Sequence, residues 1–262
     1  RFKHANETTS DFGKTKTALT GRFDQLLVKL QSRLNDTRYD FMLRPQKRTS
    51  SESLTGLMRD FVGLGSKRAK VTVLDISSVP FDVHPTVTAQ IGRLAFEFNY
   101  WNPKCREFPL FVIAEEAHAY IPRDHVEGHQ GTRRSFERIA KAGRKYAVGL
   151  CVVSQRPNEL SETVLAQCSS YICLRISNPD DQEYVRSLVP DSARGILEAL
   201  TSLAQGEAIG AGEAVPMPVR FKVTMPNPPP NAQSIEYGKM WASGPEDTDV
   251  EHIVDCWRRQ RR

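Results

Sequence analysis

The feature that most constrains this chain is an alternation. Short runs that are apolar at nearly every position recur between stretches whose apolar residues have helical spacing. The apolar runs fall at residues 71–76 (Val71-Thr72-Val73-Leu74-Asp75-Ile76), 108–114, 148–153 and 170–176. Between the first two, residues 86–100 carry a helical apolar face of Val87, Ile91, Leu94, Ala95 and Phe98. Between the next two, residues 131–146 carry one of Phe136, Ile139, Ala140 and Gly143. Further helices are predicted at 161–167, 180–188 and 192–200. Strands apolar on both sides, joined through amphipathic helices, predict an α/β fold with a mostly parallel sheet covered on both faces. Ahead of this region, Phe23, Leu26, Leu27, Leu30 and Leu34 predict a helix that ends at the turn-like residues 35–40. A shorter helix is predicted at 53–64. Beyond Gly206, residues 207–213 and 218–223 read as a C-terminal hairpin. Pro226-Asn227-Pro228-Pro229-Pro230 then imposes an extended tail.

A chain of 262 residues is long enough to bury a sizeable core. Its 39% hydrophobic and 26% charged residues are those of a soluble globular protein. No apolar run approaches the roughly 18 residues that a membrane helix requires, so no membrane partner is expected. The opening Arg1-Phe2-Lys3-His4 resembles neither an initiator nor a signal peptide, which predicts a piece of a longer polypeptide. The net charge of +5 conceals an uneven distribution. Residues 1–70 hold 15 Lys/Arg against 7 Asp/Glu, residues 71–257 hold 17 against 24, and the tail from Arg258 adds 4 arginines. The central body is therefore acidic, and any nucleic-acid binding has to come from local basic loops. Five cysteines without a CxxC pair predict free thiols in a reducing cytoplasm.

Four constellations carry potential chemistry. Phe111-Val112-Ile113-Ala114-Glu115-Glu116 is an apolar strand ending in two carboxylates, at the edge where α/β proteins bind ligands. In nucleotide hydrolases one such carboxylate serves the Mg²⁺ shell and the next polarises the attacking water. The plainer reading is a strand end capped by solvated acids. Gly149-Leu150-Cys151-Val152-Val153-Ser154-Gln155-Arg156-Pro157 is a second strand with a polar end. In a parallel sheet it would lie beside the first and let Gln155 reach a γ-phosphate, or Gln155 simply caps a loop. The helix between the two lines Arg134, Arg138, Lys141 and Lys145 along one side, with Arg144 near its end. Those cations are either a solvated face favourable to the helix dipole or a source of positive charge for a neighbouring subunit. The loop at 122–134 is polar and glycine-containing, suited to a phosphate-contacting pore loop or to an ordinary surface loop. His118, His125 and His129 lack a Cys partner or an HExxH arrangement, which argues against a metal site made by them.

Taken in order, these segments resemble the HerA branch of the HerA/FtsK superfamily of hexameric, DNA-translocating ATPases. The resemblance rests on Arg38-Tyr39-Asp40-Phe41-Met42, Val73-Leu74-Asp75-Ile76-Ser77 and the Walker B-like Ile113-Ala114-Glu115-Glu116-Ala117-His118. It continues through Ile139-Ala140-Lys141-Ala142-Gly143-Arg144-Lys145-Tyr146, Val153-Ser154-Gln155-Arg156-Pro157, Leu174-Arg175-Ile176-Ser177-Asn178 and Gly206-Glu207-Ala208-Ile209. It implies a RecA-like P-loop NTPase core over residues 71–223. Residues 1–70 would be a helical segment inserted in or preceding that core, and 224–262 an extended brace with a basic tail. ATP and Mg²⁺ are the implied cofactors, a homo-hexamer threaded by DNA the implied assembly, and a nuclease or other effector the implied partner. Glu115 would serve the Mg²⁺ shell, Glu116 would activate water, and Gln155 would sense the γ-phosphate. Arg144 would act at the inter-subunit site, with Lys145, Arg175 and Arg156 as further nucleotide-binding cations. The expected function is an ATP-hydrolysing translocase in DNA end processing or antiphage defence. A ring-forming scaffold that uses ATP for assembly is the alternative.

Two departures stand out. Ala142 occupies a position that is often acidic in the family. A Walker A loop is missing as well: Gly13-Lys14-Thr15 matches only its last three residues, and Thr8 stands where the wrapping glycine is needed. The chain alone is therefore expected to be incomplete for catalysis.

Overall fold

The computed structural model describes residues 23–44, 51–66, 68–124, 128–189, 191–229, 235–244 and 248–259. Gly13-Lys14-Thr15, His125 and the last three residues of the basic tail lie outside that set. The chain divides into two compact units, Arg1–Phe81 with Tyr237–Arg262, and Asp82–Glu236.

The first unit contributes α1 (Asp24–Asn35), α2 (Asp40–Leu43) and α3 (Ser51–Phe61). Asp36 accepts from the Arg38 backbone N–H at 3.0 Å, opening the turn that follows α1. The Arg38 guanidinium holds the Asp36 carboxyl below its ordinary value. Tyr39 is buried there beneath the Arg33 guanidinium.

Residues 71–76 do not form the buried strand that their composition predicts. They are assigned to no strand, and Val71 and Val73 are 75% and 82% exposed. A strand is stable only where neighbours satisfy its backbone groups, and no ladder includes these residues.

The second unit is the α/β part. It runs α4 (His84–Tyr100), β1 (Leu110–Ala114), α5 (Gln130–Ala142), β2 (Val148–Val152), α6 (Glu162–Leu165), β3 (Ser170–Cys173), α7 (Pro179–Leu188), α8 (Asp191–Leu197), β4 (Glu207–Gly212) and β5 (Val219–Lys222). The remaining helices, α9 (Tyr237–Ser243) and α10 (Val250–Arg259), belong to the first unit.

β1 and β2 pair in parallel, Leu110 opposite Val148 through Ala114 opposite Val152, with α5 as the crossover. The strand at 170–176 was expected in the same parallel sheet. β3 instead pairs antiparallel with β4, which pairs antiparallel with β5. Among the described residues, the parallel part of the fold is thus the β1–β2 pair.

One face of that pair makes the core. Val112, Ala114, Val148, Leu150 and Val152 pack with Phe96 of α4, Phe136 and Ile139 of α5, and Leu160, Val164 and Leu165 further on. Phe136 and Ile139 lie on the side of α5 that its spacing indicated. The buried side of α4 overlaps the expected one only at Ala95. It consists of Thr88, Gly92, Ala95, Phe96 and Asn99, while Val87, Ile91, Leu94 and Phe98 are half-buried. Close helix approach explains the change. A Cβ at Gly92 would press on the Phe136 ring and on Ser135, and Thr132 donates to the Pro85 carbonyl. Asn99 donates to the carbonyls of Phe108 and Ala147, tying α4 to the segments that enter both strands. Cover on both faces was also expected. On the opposite side of β1, Phe111 and Ile113 remain 68% and 66% exposed, because the described helices supply one layer.

A second core, of Cys173, Val185, Val189, Leu197, Leu200, Leu203, Ile209 and Ala211, joins β3 and β4 to α7 and α8. All five cysteines are free, and burial pushes the Cys173 thiol up to about 11.

Candidate functional site

The acidic pair leaves β1 through a pinned turn. Val153 donates to the Ala114 carbonyl at 2.8 Å and accepts from the Ala117 N–H at 3.0 Å. The ladder therefore resumes across Glu115 and Glu116, which are forced outward between its two last rungs. Glu116 takes a left-handed conformation, φ 47° and ψ 42°, which costs a non-glycine residue of order 1 kcal/mol or more. The Ala119 N–H donates back to the Glu116 carbonyl, and the Tyr120 hydroxyl donates to the Glu115 carbonyl at 2.8 Å. Burial first, then the nearby Glu115 and Glu116 carboxylates, push the Tyr120 phenol up to about 12. It therefore stays a donor at neutral pH.

Glu115 is exposed at the strand end. Glu116 is engaged. Its Oε1 accepts from Gln155 Nε2 at 2.8 Å, so the structure brings together two of the residues singled out from sequence. Its Oε2 is buried and has no hydrogen-bond partner, with His118 Nδ1 3.4 Å away. His118 Nδ1 is also 3.1 Å from Ser154 Oγ, and that hydroxyl accepts from the Arg156 N–H at 3.0 Å. The chain segments beyond the two strands run on together. Arg123 N–H donates to the Glu159 carbonyl, Ser161 N–H donates to the Ile121 carbonyl, and Pro122 bridges Leu160.

The cations are distributed differently. The Arg156 side chain reaches Glu159 at 2.8 Å rather than the acidic pair. Arg175 is exposed just past β3. Arg144 and Lys145 lie in the 3-10 turn Gly143–Tyr146 that precedes β2, at the edge of the parallel pair opposite Glu116. Both are exposed, and neither has an ion pair among the described residues. Within one copy of the chain the structure does not bring them to the carboxylates. On α5, Arg138 is committed to Glu97 at 2.7 Å and stacks on the Phe96 ring, while Lys141 faces Glu137. Among the described residues no three His, Cys, Asp or Glu groups converge as a metal cluster, and no helix is long and apolar enough to cross a membrane.

The sequence assigns no role of its own to Ser154 and weighs His118 only as a metal ligand. Both stand inside the two motifs already quoted. Only the pairing of Ala114 with Val152 and Val153 reveals that the two motif ends face each other.

Fold and site together define an α/β protein whose polar groups gather at the carboxyl ends of adjacent parallel strands, where such sheets bind ligands. No family model matches the chain. The DNA double-strand break repair helicase HerA of Pyrococcus furiosus is 39% identical over 155 residues, 59% of this chain and 26% of that protein. Its Sulfolobus acidocaldarius namesake is 30% identical over 195 residues, 73% of this chain and 39% of that protein. A probable HerA helicase of Methanocaldococcus jannaschii is 37% identical over 181 residues, 65% of this chain and 35% of that protein. The chain thus spans between about a quarter and two fifths of the length of these relatives. Among solved structures, the DNA-packaging ATPase B204 of Sulfolobus turreted icosahedral virus aligns at 17% identity and TM-score 0.47, over 67% of this chain and 77% of its own. That likeness is too slight to bear on the site. From the sequence matches, the chain is of HerA type and belongs to the HerA/FtsK superfamily.

Proposed function

We propose that this chain is the hydrolytic portion of an ATP-driven DNA motor. Its carboxylates would complete a nucleotide site whose phosphate-binding loop lies elsewhere in the protein. The observation that carries the reading is the state of Glu116. A strained backbone thrusts it out of the strand end, one oxygen is held by Gln155, and the other is buried without a hydrogen bond. An unclaimed carboxylate oxygen in that setting is able to take a proton from water, which is what a general base requires. Gln155, which already orients that carboxylate, would register the γ-phosphate beside it.

Glu115 fits a Mg²⁺ ion on its chemistry: an exposed carboxylate at a strand end suits a cation that keeps several waters and takes only one or two protein oxygens. Mg²⁺, when bound with ATP, would neutralise charge on the phosphates. Arg144, with Lys145, would serve a neighbouring copy, since their edge is turned from their own carboxylates. Arg175 and Arg156 would add positive charge around the nucleotide.

On this reading residues 71–223 belong to the RecA-like core, residues 1–70 are a helical segment in or before it, and 224–262 brace an adjacent protomer. The assembly would be a cytoplasmic homo-hexamer with DNA in its central pore. It would work with a nuclease or other effector in DNA end processing or antiphage defence. The relatives named as break-repair helicases support the DNA-processing part. The 24 acidic against 17 basic residues over 71–257 favour one competitor, a scaffold that binds an effector and uses ATP for assembly. DNA-stimulated hydrolysis with steep salt dependence distinguishes the motor from the scaffold.

The direct test is Glu116→Gln in the full-length protein. ATP turnover is expected to fall by about 100-fold or more, with nucleotide binding retained. Turnover close to that of the unmodified protein would end the assignment.

A further inference from the structure

We propose that His118 and Ser154 are positioning residues for Glu116, forming a clamp that holds the carboxylate-bearing turn of β1 against the Gln155-bearing end of β2. The proposal rests on the reading of Glu116 as the water-activating carboxylate and adds to it the groups that keep Glu116 competent.

Backbone bonds join the segments after the two strands at Val153 and again beyond Ile121, and between those points side chains link them. Two such connections exist at the end of the parallel pair, and they lie side by side. The first is Gln155 to Glu116 Oε1 at 2.8 Å. The second is His118 to Ser154, Nδ1 to Oγ at 3.1 Å, with His118 only one-fifth exposed. His118 follows Glu116 by two residues within the same tight turn, and Ser154 precedes Gln155 by one. The two connections therefore close a ring that includes the Glu116–His118 turn and the Ser154-Gln155 step.

The hydrogen bonding within this ring fixes its logic. Ser154 Oγ accepts from the Arg156 backbone N–H at 3.0 Å, so its own proton is free to point at His118 Nδ1. With Nδ1 accepting, that nitrogen has no hydrogen to offer Glu116 Oε2, which lies 3.4 Å from it and has no hydrogen-bond partner. In that arrangement the imidazole lies beside Oε2 without donating to it. A strained left-handed residue persists only where its surroundings over-determine it, and this clamp supplies that constraint for the Glu116 side chain.

The test is steady-state ATP hydrolysis by the full-length protein carrying His118→Ala, His118→Asn, His118→Leu, Ser154→Ala or the His118→Ala/Ser154→Ala pair, with Glu116→Gln as reference. His118→Ala is expected to lower kcat by about 10-fold or more with KM for ATP little changed, because misplacing a reacting group is felt in the chemical step. His118→Asn, which sets a polar atom where Nδ1 stood, should recover most of that loss. His118→Leu, which restores bulk alone, should not. The double variant should be no worse than the poorer single variant, since both remove one contact. Equal recovery by Leu and Asn, or losses that multiply in the double variant, overturn the clamp. So does an unchanged kcat in His118→Ala when Glu116→Gln abolishes turnover. Turnover that survives Glu116→Gln overturns instead the assignment of the base on which the clamp depends.

Discussion

The two ends of the β1–β2 pair are built on opposite plans. At the carboxyl end every engaged group finds its partner within the same chain: Glu116 with Gln155, His118 with Ser154, and Ala117 with the Val153 carbonyl. At the amino end the backbone is equally well secured, with Asn99 linking the carbonyls of Phe108 and Ala147 and Gly143 packed beneath Val148. Yet that end sends Arg144 and Lys145 into solvent without an ion pair among the described residues. Strands of five residues place the two ends roughly 13 Å apart at about 3.3 Å per residue, too far for those cations to serve their own carboxylates. One end finds its partners within a single copy and the other leaves two cations without an ion pair among the described residues, so on the proposed reading the two would meet only where copies sit side by side.

Mixing variants puts that comparison under the greatest strain. Arg144→Ala in the full-length protein is expected to reduce ATP turnover by about 10³-fold, the scale of an arginine supplied to a γ-phosphate. A mixture of Arg144→Ala and Glu116→Gln proteins should then recover part of the activity, because some junctions would pair an intact Glu116 with an intact Arg144. Recovery that never exceeds the sum of the separate residual rates would show that the amino end is not the partner of the carboxyl end. A smaller effect sharpens the account of how the amino end is held. A Cβ on Gly143 would run into the Val148 carbonyl, which is backbone and has no room to retreat. Gly143→Ala should therefore destabilise the protein by about 1–3 kcal/mol, read from the denaturant midpoint. A midpoint that does not move would mean the turn carrying Arg144 has slack.

The two ends were also unequally legible in the amino-acid sequence. β1, β2 and the crossover α5 follow from runs that are apolar throughout and from Phe136 and Ile139 spaced three apart, since burial acts on composition and period alone. The proximity of Glu116 to Gln155 follows once those strands are taken as neighbours. What escaped are the features set by close approach. The buried side of α4 is small and polar, Thr88, Gly92 and Asn99, because α4 and α5 come near one another at the first two and Asn99 bonds the segments entering the strands, and an apolar-face rule points instead to Val87 and Leu94. The run at 71–76 has a strand's composition, but composition does not supply the neighbour that a strand needs. Likewise β3 is apolar like β1, and the partner that makes it antiparallel, β4, lies more than 30 residues further along. The left-handed turn at Glu116 is invisible for the same reason: the bonds that impose it reach across to Val153.

That turn sets the smallest and most specific expectation. If the strain at Glu116 is held for the sake of the carboxylate, removing the side chain should free the backbone as it removes the chemistry. Glycine enters the left-handed region without a Cβ penalty, which relieves of order 1 kcal/mol or more. Part of this is offset by the extra freedom that glycine gives the unfolded chain, and the exposed side of the Gln155 contact adds little. Glu116→Gly should therefore raise stability by about 0.5–1 kcal/mol while hydrolysis is lost, whereas Glu116→Gln, which keeps the Cβ, should lose hydrolysis without that gain. Equal stability of the two variants in a denaturant titration would mean that the Ala117 and Val153 bonds impose the turn at no cost. The carboxyl end of β1 would then be as relaxed as the amino end, and the contrast between them would reduce to charge alone.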